Sequence, residues 1–449
     1  MAAQVLKHQG FVDAFEQHGS DLNQGAPQWL VKLRRAAIEK FATVGFPTQR
    51  DEDWKFTSTQ PVANVQWEPA APSASDPGWK KSFLPDLGGR LVFVDGRFAA
   101  DASEIPKGVT VGSLRDQWGS SIVEQCHAPF LDAVTNPFSL LNKAFFRDGA
   151  FVHVKKGVAL EKPIQFLHIG TNRANTFASP RHLVVAEPGS RAAFLESYIM
   201  AGGSPALTIA VANYFVGDDA AIDVTRVQSE SRAALHAGQT GISLGRGARA
   251  KHTAINIGGA WVRNEVDAKF EGEGGELTMN GLFLGRGTQH VDNQTRVDHA
   301  VPRCTSSQFY KGILDEKARG VFRGLVWIRP DAQKTNASQS NKNLLLSREA
   351  LVDSIPALDI RADDVKASHG STIGQLEAEP LFYLRSRGIG EDEARALLTH
   401  AFAAQILGGI AFAPLRERLD KLVMEWLPRT QEAAASHSAR LTPAPKRGA

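Results

Sequence analysis

The spacing of apolar positions along this chain changes twice. Up to about residue 60 they recur at helical intervals. Phe11, Val12 and Phe15 mark one amphipathic segment. A second, starting after Pro27, brings Leu30, Leu33, Ala37, Phe41 and Val44 to one face until Gly45-Phe46-Pro47 stops it. Residues 61–90 are rich in Pro, Ala, Ser and Gly and read as a linker with little regular structure. From about 150 to 360 the spacing shortens to alternation, as in Phe151-Val152-His153-Val154 and Ala221-Ile222-Asp223-Val224, the pattern of strands. Beyond Gly374 helical spacing returns. Acidic Glu391-Asp392-Glu393 suits the positive start of a helix whose face is Ala394, Leu397, Leu398, Ala401, Phe402 and Ile406. A last helix carries Leu415, Leu419, Leu422, Val423 and Trp426, and the Ala-, Ser- and Pro-rich stretch 428–449 reads as a disordered tail.

Turn residues sharpen the middle region. One series falls at Pro188-Gly189, Gly217-Asp218, Gly245-Arg246-Gly247, Glu273-Gly274-Gly275, Pro302 and Pro330-Asp331, at intervals of about 28 residues. A second, of similar period, interleaves at Gly202-Gly203, Ser229-Glu230, Gly258-Gly259, Gly285-Arg286-Gly287 and Asp315-Glu316. Two interleaved series of equal period predict a solenoid coil with two long sides, a parallel β-helix whose stacked coils share one core. The competing reading is an antiparallel sandwich of hairpins. The chain then divides into an N-terminal helical domain (1–60), the linker (61–90), a mainly β core (91–365), a C-terminal helical unit (366–427) and the tail. The open ends of the solenoid need cover, from the helical units or from a partner. The C-terminal unit is expected to be removable without unfolding the core.

Composition narrows the function. The 449 residues hold 51 basic and 48 acidic side chains, a net charge of +3 with no basic block of the kind that grips nucleic acid. Cys126 and Cys304 are too few for a disulfide framework or a thiolate metal site, which fits a reducing cytoplasm. The N-terminus lacks the apolar core of a signal peptide, and no apolar run is long enough to cross a bilayer.

Few residues suggest chemistry. No phosphate-binding loop with Lys and Ser/Thr occurs, and Gly370-Ser371-Thr372-Ile373-Gly374 lacks the spacing of a serine elbow. Along Gln289–His299, His290, Asp292, Gln294, Arg296 and Asp298 share one strand face. His290 and Asp292 are conceivable metal ligands there, but a solvated outer face is the plainer reading, with Val291, Thr295 and Val297 facing inward. Cys126 and Cys304 read as small buried or semi-buried thiols. His369, which the sequence places on a tight Gly-rich turn between the β region and the last helices, is a candidate ligand for a soft metal. Asp363 and Asp364 are hard donors and no thiolate is near, so any site at His369 needs ligands from a second chain.

Several strings resemble one family. Pro356-Ala-Leu-Asp-Ile-Arg-Ala-Asp-Asp-Val-Lys-Ala-Ser-His-Gly-Ser-Thr-Ile-Gly-Gln375 is similar to the core signature of the SufB/SufD family of iron–sulfur cluster assembly proteins. Leu381-Phe-Tyr-Leu-Arg-Ser-Arg-Gly-Ile389, Arg50-Asp-Glu-Asp-Trp-Lys-Phe-Thr57, Gly320-Val-Phe-Arg-Gly324 and Asn343-Leu-Leu-Leu-Ser347 add to the likeness, which runs from about residue 30 to 427. The residues flanking His369 resemble the SufD branch, because SufB relatives tend to carry an acid on each side of the matching His. The resemblance implies a right-handed parallel β-helix between helical domains and a scaffold rather than an enzyme. It implies a heterodimer with SufB, a homodimer being possible in isolation, and an ATPase, SufC. Iron or a nascent cluster would pass transiently through His369 at the SufB interface, with no stably bound cofactor. The C-terminal residues Leu381, Phe382, Tyr383, Arg385, Arg387, Glu391, Arg395 and Phe402 would meet SufC. Many relatives carry Cys two residues before the His, where this chain has Ala367. The competing function is a β-helix carbohydrate-active enzyme, for which only the Asp292/Asp298 face offers acids.

Overall fold

A computed structural model of the chain describes residues 8–72, 77–106, 109–126, 136–171, 173–200 and 202–427. Its centre is a parallel β-solenoid of two long sheets. In chain order the strands are β1 (Gly89–Val94), β2 (Ala150–Val154), β3 (Ile164–Gly170), β4 (Arg181–Ala186), β5 (Arg191–Met200), β6 (Ala206–Val216), β7 (Ala221–Ser229), β8 (Leu235–Leu244) and β9 (Arg249–Asn256). They continue as β10 (Trp261–Phe270), β11 (Glu276–Gly285), β12 (His290–His299), β13 (Thr305–Leu314), β14 (Arg319–Ile328), β15 (Asn336–Leu345), β16 (Leu351–Ile360) and β17 (Lys366–Gly374). From β2 to β16 the even-numbered strands pair in sequence as one sheet, and from β1 to β17 the odd-numbered strands pair as the other, every one of these pairs parallel. The antiparallel sandwich is thereby excluded.

The two turn series mark the two edges where the chain crosses between sheets. The first edge places one residue per coil in the left-handed region: Gly189, Asp219, Gly247, Gly274, Arg303 and Lys334. Glycine and short polar side chains tolerate that conformation best. Inside, alternate residues from both sheets meet in one apolar core that includes Val184, Phe194, Tyr214, Val224, Ile242, Val266, Met279, Val297 and Phe322. Val224 and Val291 are fully buried, as their alternation with polar neighbours implies.

The helices cover the flat faces of the solenoid instead of capping its ends. Helices α1 (Gln9–Leu22), α2 (Gln28–Val44) and α3 (Pro137–Phe145) lie over the even sheet. There Phe11, Phe15, Phe41, Phe138 and Phe145 pack with Leu207, Ile209, Leu235 and Trp261. Val44, placed on the buried face by its spacing, is 52% exposed, because Gly45 turns the chain away at φ 65°. Within the stretch read as a linker, residues 62–69 are tied down rather than free. Trp67 is buried and donates to the Val62 carbonyl at 2.8 Å, and Glu68–Pro69 pairs with Thr176–Ala178.

At the other terminus, α4 (Ala378–Ser386) leads into α5 (Glu391–Leu407) and α6 (Ala413–Trp426). The core extends to Gly374, nine residues beyond the boundary the sequence suggested, because 366–374 is the last strand of the odd sheet. Ala403, Ile406, Leu407, Leu415, Leu419 and Val423 pack on Leu195, Val227, Ile255, Leu282 and Ile313 of that sheet's outer face. Helix α5 therefore buries a face rotated from the expected one: Ala394, Thr399, Ala403 and Ile406 turn inward, while Leu397 and Ala401 are exposed. Removing 376–427 would strip this apolar cover, so the unit is not the detachable module its sequence suggests. The tail from 428 lies outside the described residues.

Lys311 stitches α5 to the odd sheet. Its ammonium donates to the Phe402 carbonyl at 2.9 Å and to Gln405 Oε1 at 2.6 Å, and lies 3.7 Å from the Phe402 ring centre. Burial pushes its pKa down to about 8, with nearby Lys342 adding to the shift. The unfolded chain holds this proton up to about 10.5, so between those values the unfolded state binds more protons. Stability from this site therefore rises with pH across that window. The Lys311→Met variant should lose this rise in denaturation midpoints measured from about pH 8 to about pH 10.5. An identical slope in the variant would show that the burial of Lys311 is not felt.

Candidate functional site

The two ends of the solenoid differ. At the leading end, antiparallel additions cover the sheets, Thr110–Ser113 on β2 and Arg97–Phe98 on β1. At the trailing end β16 and β17 are the outermost strands, and among the described residues nothing pairs with their free edges. Pro356 sits inside β16, a position that an edge strand tolerates and an interior strand does not. Leu351, Ile360 and Ile373 are 54%, 43% and 52% exposed along these two strands. Unpaired main-chain groups beside exposed apolar side chains form a template for pairing with another chain.

His369 lies on this edge. It is a strand residue of β17 rather than part of a tight turn. The register sets its direction: Ala337 faces the core and pairs with Ala367, and His369 pairs with Gln339, so Ala367, His369, Ser371 and Ile373 share the inner face. Ser371 Oγ meets Ser354 Oγ of β16 at 2.7 Å across the interior. His369 thus stands at the mouth of the solenoid lumen, exposed only because no further coil follows it. The two acids near it in sequence do not converge on it. Asp364 pairs with Lys334, and Asp363 is exposed on the preceding loop. Among the described residues no group of three His, Cys, Asp or Glu side chains is arranged to hold a metal ion. One imidazole at an open edge can offer one ligand, and the rest must come from whatever covers the edge.

The other metal candidates resolve differently. His290 and Asp292 do lie on the outer face of β12, but that face is covered rather than solvated. Thr57 Oγ1 donates to Asp292 at 2.6 Å and lies 2.9 Å from His290 Nε2, and Arg263 pairs with both Asp292 and Glu265. Trp54, buried in the same segment, lies under the Arg263 guanidinium at 3.7 Å, and Asp53 pairs with Arg323. The string 50–57 is thus a strap whose charges and aromatic ring lock the N-terminal region to the even sheet. Asp298 is held by a two-point pair with Arg329 at 2.8 and 2.6 Å. These acids are committed to ion pairs, which removes the basis for a sugar-cleaving site. Truncating Asp292 would leave Arg263 buried without its main partner. Asp292→Ala should cost about 3–5 kcal/mol in chemical denaturation, and a loss under about 1 kcal/mol would refute the strap. Cys304 is buried with its thiol directed at the Gly272 and Pro302 carbonyls, and burial raises its pKa. Cys126 is half-buried.

The expected ATPase-contact residues separate into two groups. Phe382 and Tyr383 of α4 are 73% and 57% exposed and lie close in sequence to the exposed Leu397 of the adjoining α5. Arg387 stacks on Tyr383 at 5.2 Å, and Arg385 pairs with Glu391 at 3.4 Å across the α4–α5 turn. Leu381 and Arg395 are half-buried. Phe402 instead faces Lys311 and the odd sheet, so its ring supports the fold.

The solenoid thus carries short antiparallel strands at its leading end, an open edge at its trailing end and an exposed aromatic pair on a terminal helix. Comparison with known proteins gives its family. Residues 168–402 match the family model described as SUF system FeS cluster assembly, SufBD core domain, and residues 6–166 match the SufBD protein N-terminal region. An iron-sulfur cluster assembly SufBD family protein of Synechocystis is 32% identical over 94% of this chain and 94% of its own length. The iron-sulfur cluster assembly protein SufD of Escherichia coli is 30% identical over 92% of this chain and 95% of its own, and that of Bacillus subtilis 27% identical over 63% and 65%. The chain belongs to the SufBD family of iron–sulfur cluster assembly proteins, and its relatives include proteins named SufD. Among the described residues no helix is long and apolar enough to cross a membrane.

Proposed function

We propose that the chain is a non-enzymatic, SufD-like subunit of a cytoplasmic SUF assembly complex, and that its open solenoid end receives a SufB-like chain. One observation carries this reading: the inward row through Gln308 and Gln339 ends at the exposed His369 of β17, on an edge whose main-chain groups have no partner strand among the described residues. A partner laid along β16 and β17 would enclose His369 between the two chains. The imidazole then offers one ligand to incoming iron or to a nascent cluster, which is cargo here. Ala367, the neighbour two positions earlier on the same face, offers none, so the SufB-like chain must supply the thiolates. Phe382 and Tyr383 form the surface for a SufC-like ATPase, which provides the nucleotide chemistry that this chain has no phosphate loop to perform.

The test is His369→Ala in the co-expressed complex. Loss of a residue that merely orients a ligand costs about 10–100-fold in metal affinity. Removing the ligand itself should lower iron and sulfide content by roughly tenfold or more, while the subunits still co-purify. Normal cluster content in an intact complex would make His369 a structural edge residue.

A further inference from the structure

The interior of the solenoid is not uniformly apolar. Alternation that places valines inward in the early coils places polar side chains inward further along, in two hydrogen-bonded networks. In the first, Glu196 accepts from Tyr198 at 3.1 Å and pairs with Arg226 at 3.6 Å. Arg226 bonds to Asn264, which donates to Asn256 at 2.8 Å, and Asn256 donates to Asn293 at 2.9 Å. In the second, Thr295 and Gln339 both donate to Gln308 Oε1, at 2.7 and 3.2 Å. Beside it Ser371, Ser354 and Asn341 are linked at 2.7 Å each. Asn293 and Thr295 are two residues apart on the inner face of β12, so the networks end side by side.

Between them, fully buried polar atoms lack any partner within the protein: both ring nitrogens of His252, Asn293 Nδ2, Gln308 Nε2, the Tyr310 hydroxyl and Gln339 Oε1. Each of these side chains is at least 97% buried. Burial holds the His252 pKa down to about 3, with the Arg226 charge as a lesser cause, so its ring is neutral and carries one donor and one acceptor. Donors and acceptors are thus both left over, and an unmet buried group costs about 1–3 kcal/mol. Backbones of neighbouring strands stand about 4.8 Å apart; Gln308 and Gln339 reach across that spacing directly, and the atoms left unmet call for a small bridging molecule. Gly281 allows the Tyr310 ring to cross here, since a Cβ at that position would lie 2.2 Å from it.

We propose that ordered water, held by His252, Asn293, Gln308 and Tyr310, joins the two networks into a continuous hydrogen-bonded path inside the solenoid. The path runs from the buried Glu196–Arg226 pair to Gln339, whose register neighbour is His369 at the mouth. Water is the ligand chemistry that fits. The site needs small molecules with two donors and two acceptors, and it presents no unpaired charge.

The test combines two measurements on the full chain. A crystal structure at a resolution that shows bound water should reveal density within hydrogen-bond distance of His252, Tyr310 and Asn293. Tyr310→Phe removes one oxygen and keeps the ring, so it should lower the denaturation midpoint, because a bridged hydroxyl contributes to stability. Refolding of the variant is checked by its circular dichroism. A lumen without water density, or a midpoint that rises in Tyr310→Phe as it would on deleting an unmet buried hydroxyl, overturns the proposal.

Discussion

Replacing Phe382 and Tyr383 with alanine should lower capture of a SufC-like ATPase by roughly 30-fold or more, about 2 kcal/mol, since exposed aromatic pairs of this kind dominate protein interfaces. The fold should hardly notice. Both rings are mostly in solvent, and neither belongs to the cluster that joins α5 and α6 to the odd sheet. Stability should stay within about 0.5 kcal/mol of the unmodified chain. This pair of readouts is cleaner than deleting 376–427, which would also uncover Leu195, Val227, Ile255, Leu282 and Ile313. Capture unchanged in a chain that remains folded would remove α4 from the proposed contact.

Ile360→Lys together with Ile373→Lys should abolish association with a SufB-like chain. The two residues lie near the trailing ends of β16 and β17 on their inner-facing rows, and both are about half-exposed in the isolated chain. Two ammonium groups cost little there while the edge stays wet. Docking a partner strand would strip their water, and an unpaired buried charge costs several kcal/mol. Natural edge strands use lysine in this way to prevent pairing. Size-exclusion chromatography with light scattering should show the unmodified chain shifting to the mass of a heterodimer on addition of the SufB-like chain, and the variant not shifting. Equal association by both would place the interface elsewhere. The same variant should dissolve any homodimer formed along these edges.

Much of this architecture is legible in the sequence, for a physical reason. Each coil must turn twice, and left-handed positions such as Gly247, Gly274 and Gly287 favour glycine or short polar residues, so the turns print their own period on the chain. What escaped depends on contacts distant in sequence. Nothing near Asp292 shows that Thr57, 235 positions earlier, will cover it, so a polar strand face reads as solvated. The inward face of α5 is hidden because spacing reveals a stripe but not the neighbour that selects it, here Lys311 and the odd sheet. His252, Gln308 and Gln339 break the rule that alternation sends polar residues outward, and only the register with Met279 and Ala337 places their rows inside. The setting of His369 is likewise hidden from the sequence. A Gly- and Ser-rich stretch reads as a turn, whereas pairing with β15 draws it into a strand.

Native mass spectrometry of the tagged chain, co-expressed with SufB-like and SufC-like chains, tests the central claim most directly. One assembly containing this chain, the SufB-like chain and the ATPase is expected, with the Ile360→Lys, Ile373→Lys variant losing the SufB-like chain and the Phe382→Ala, Tyr383→Ala variant losing ATPase. Recovery of this chain alone or only as a homodimer, with neither partner attached, would contradict it.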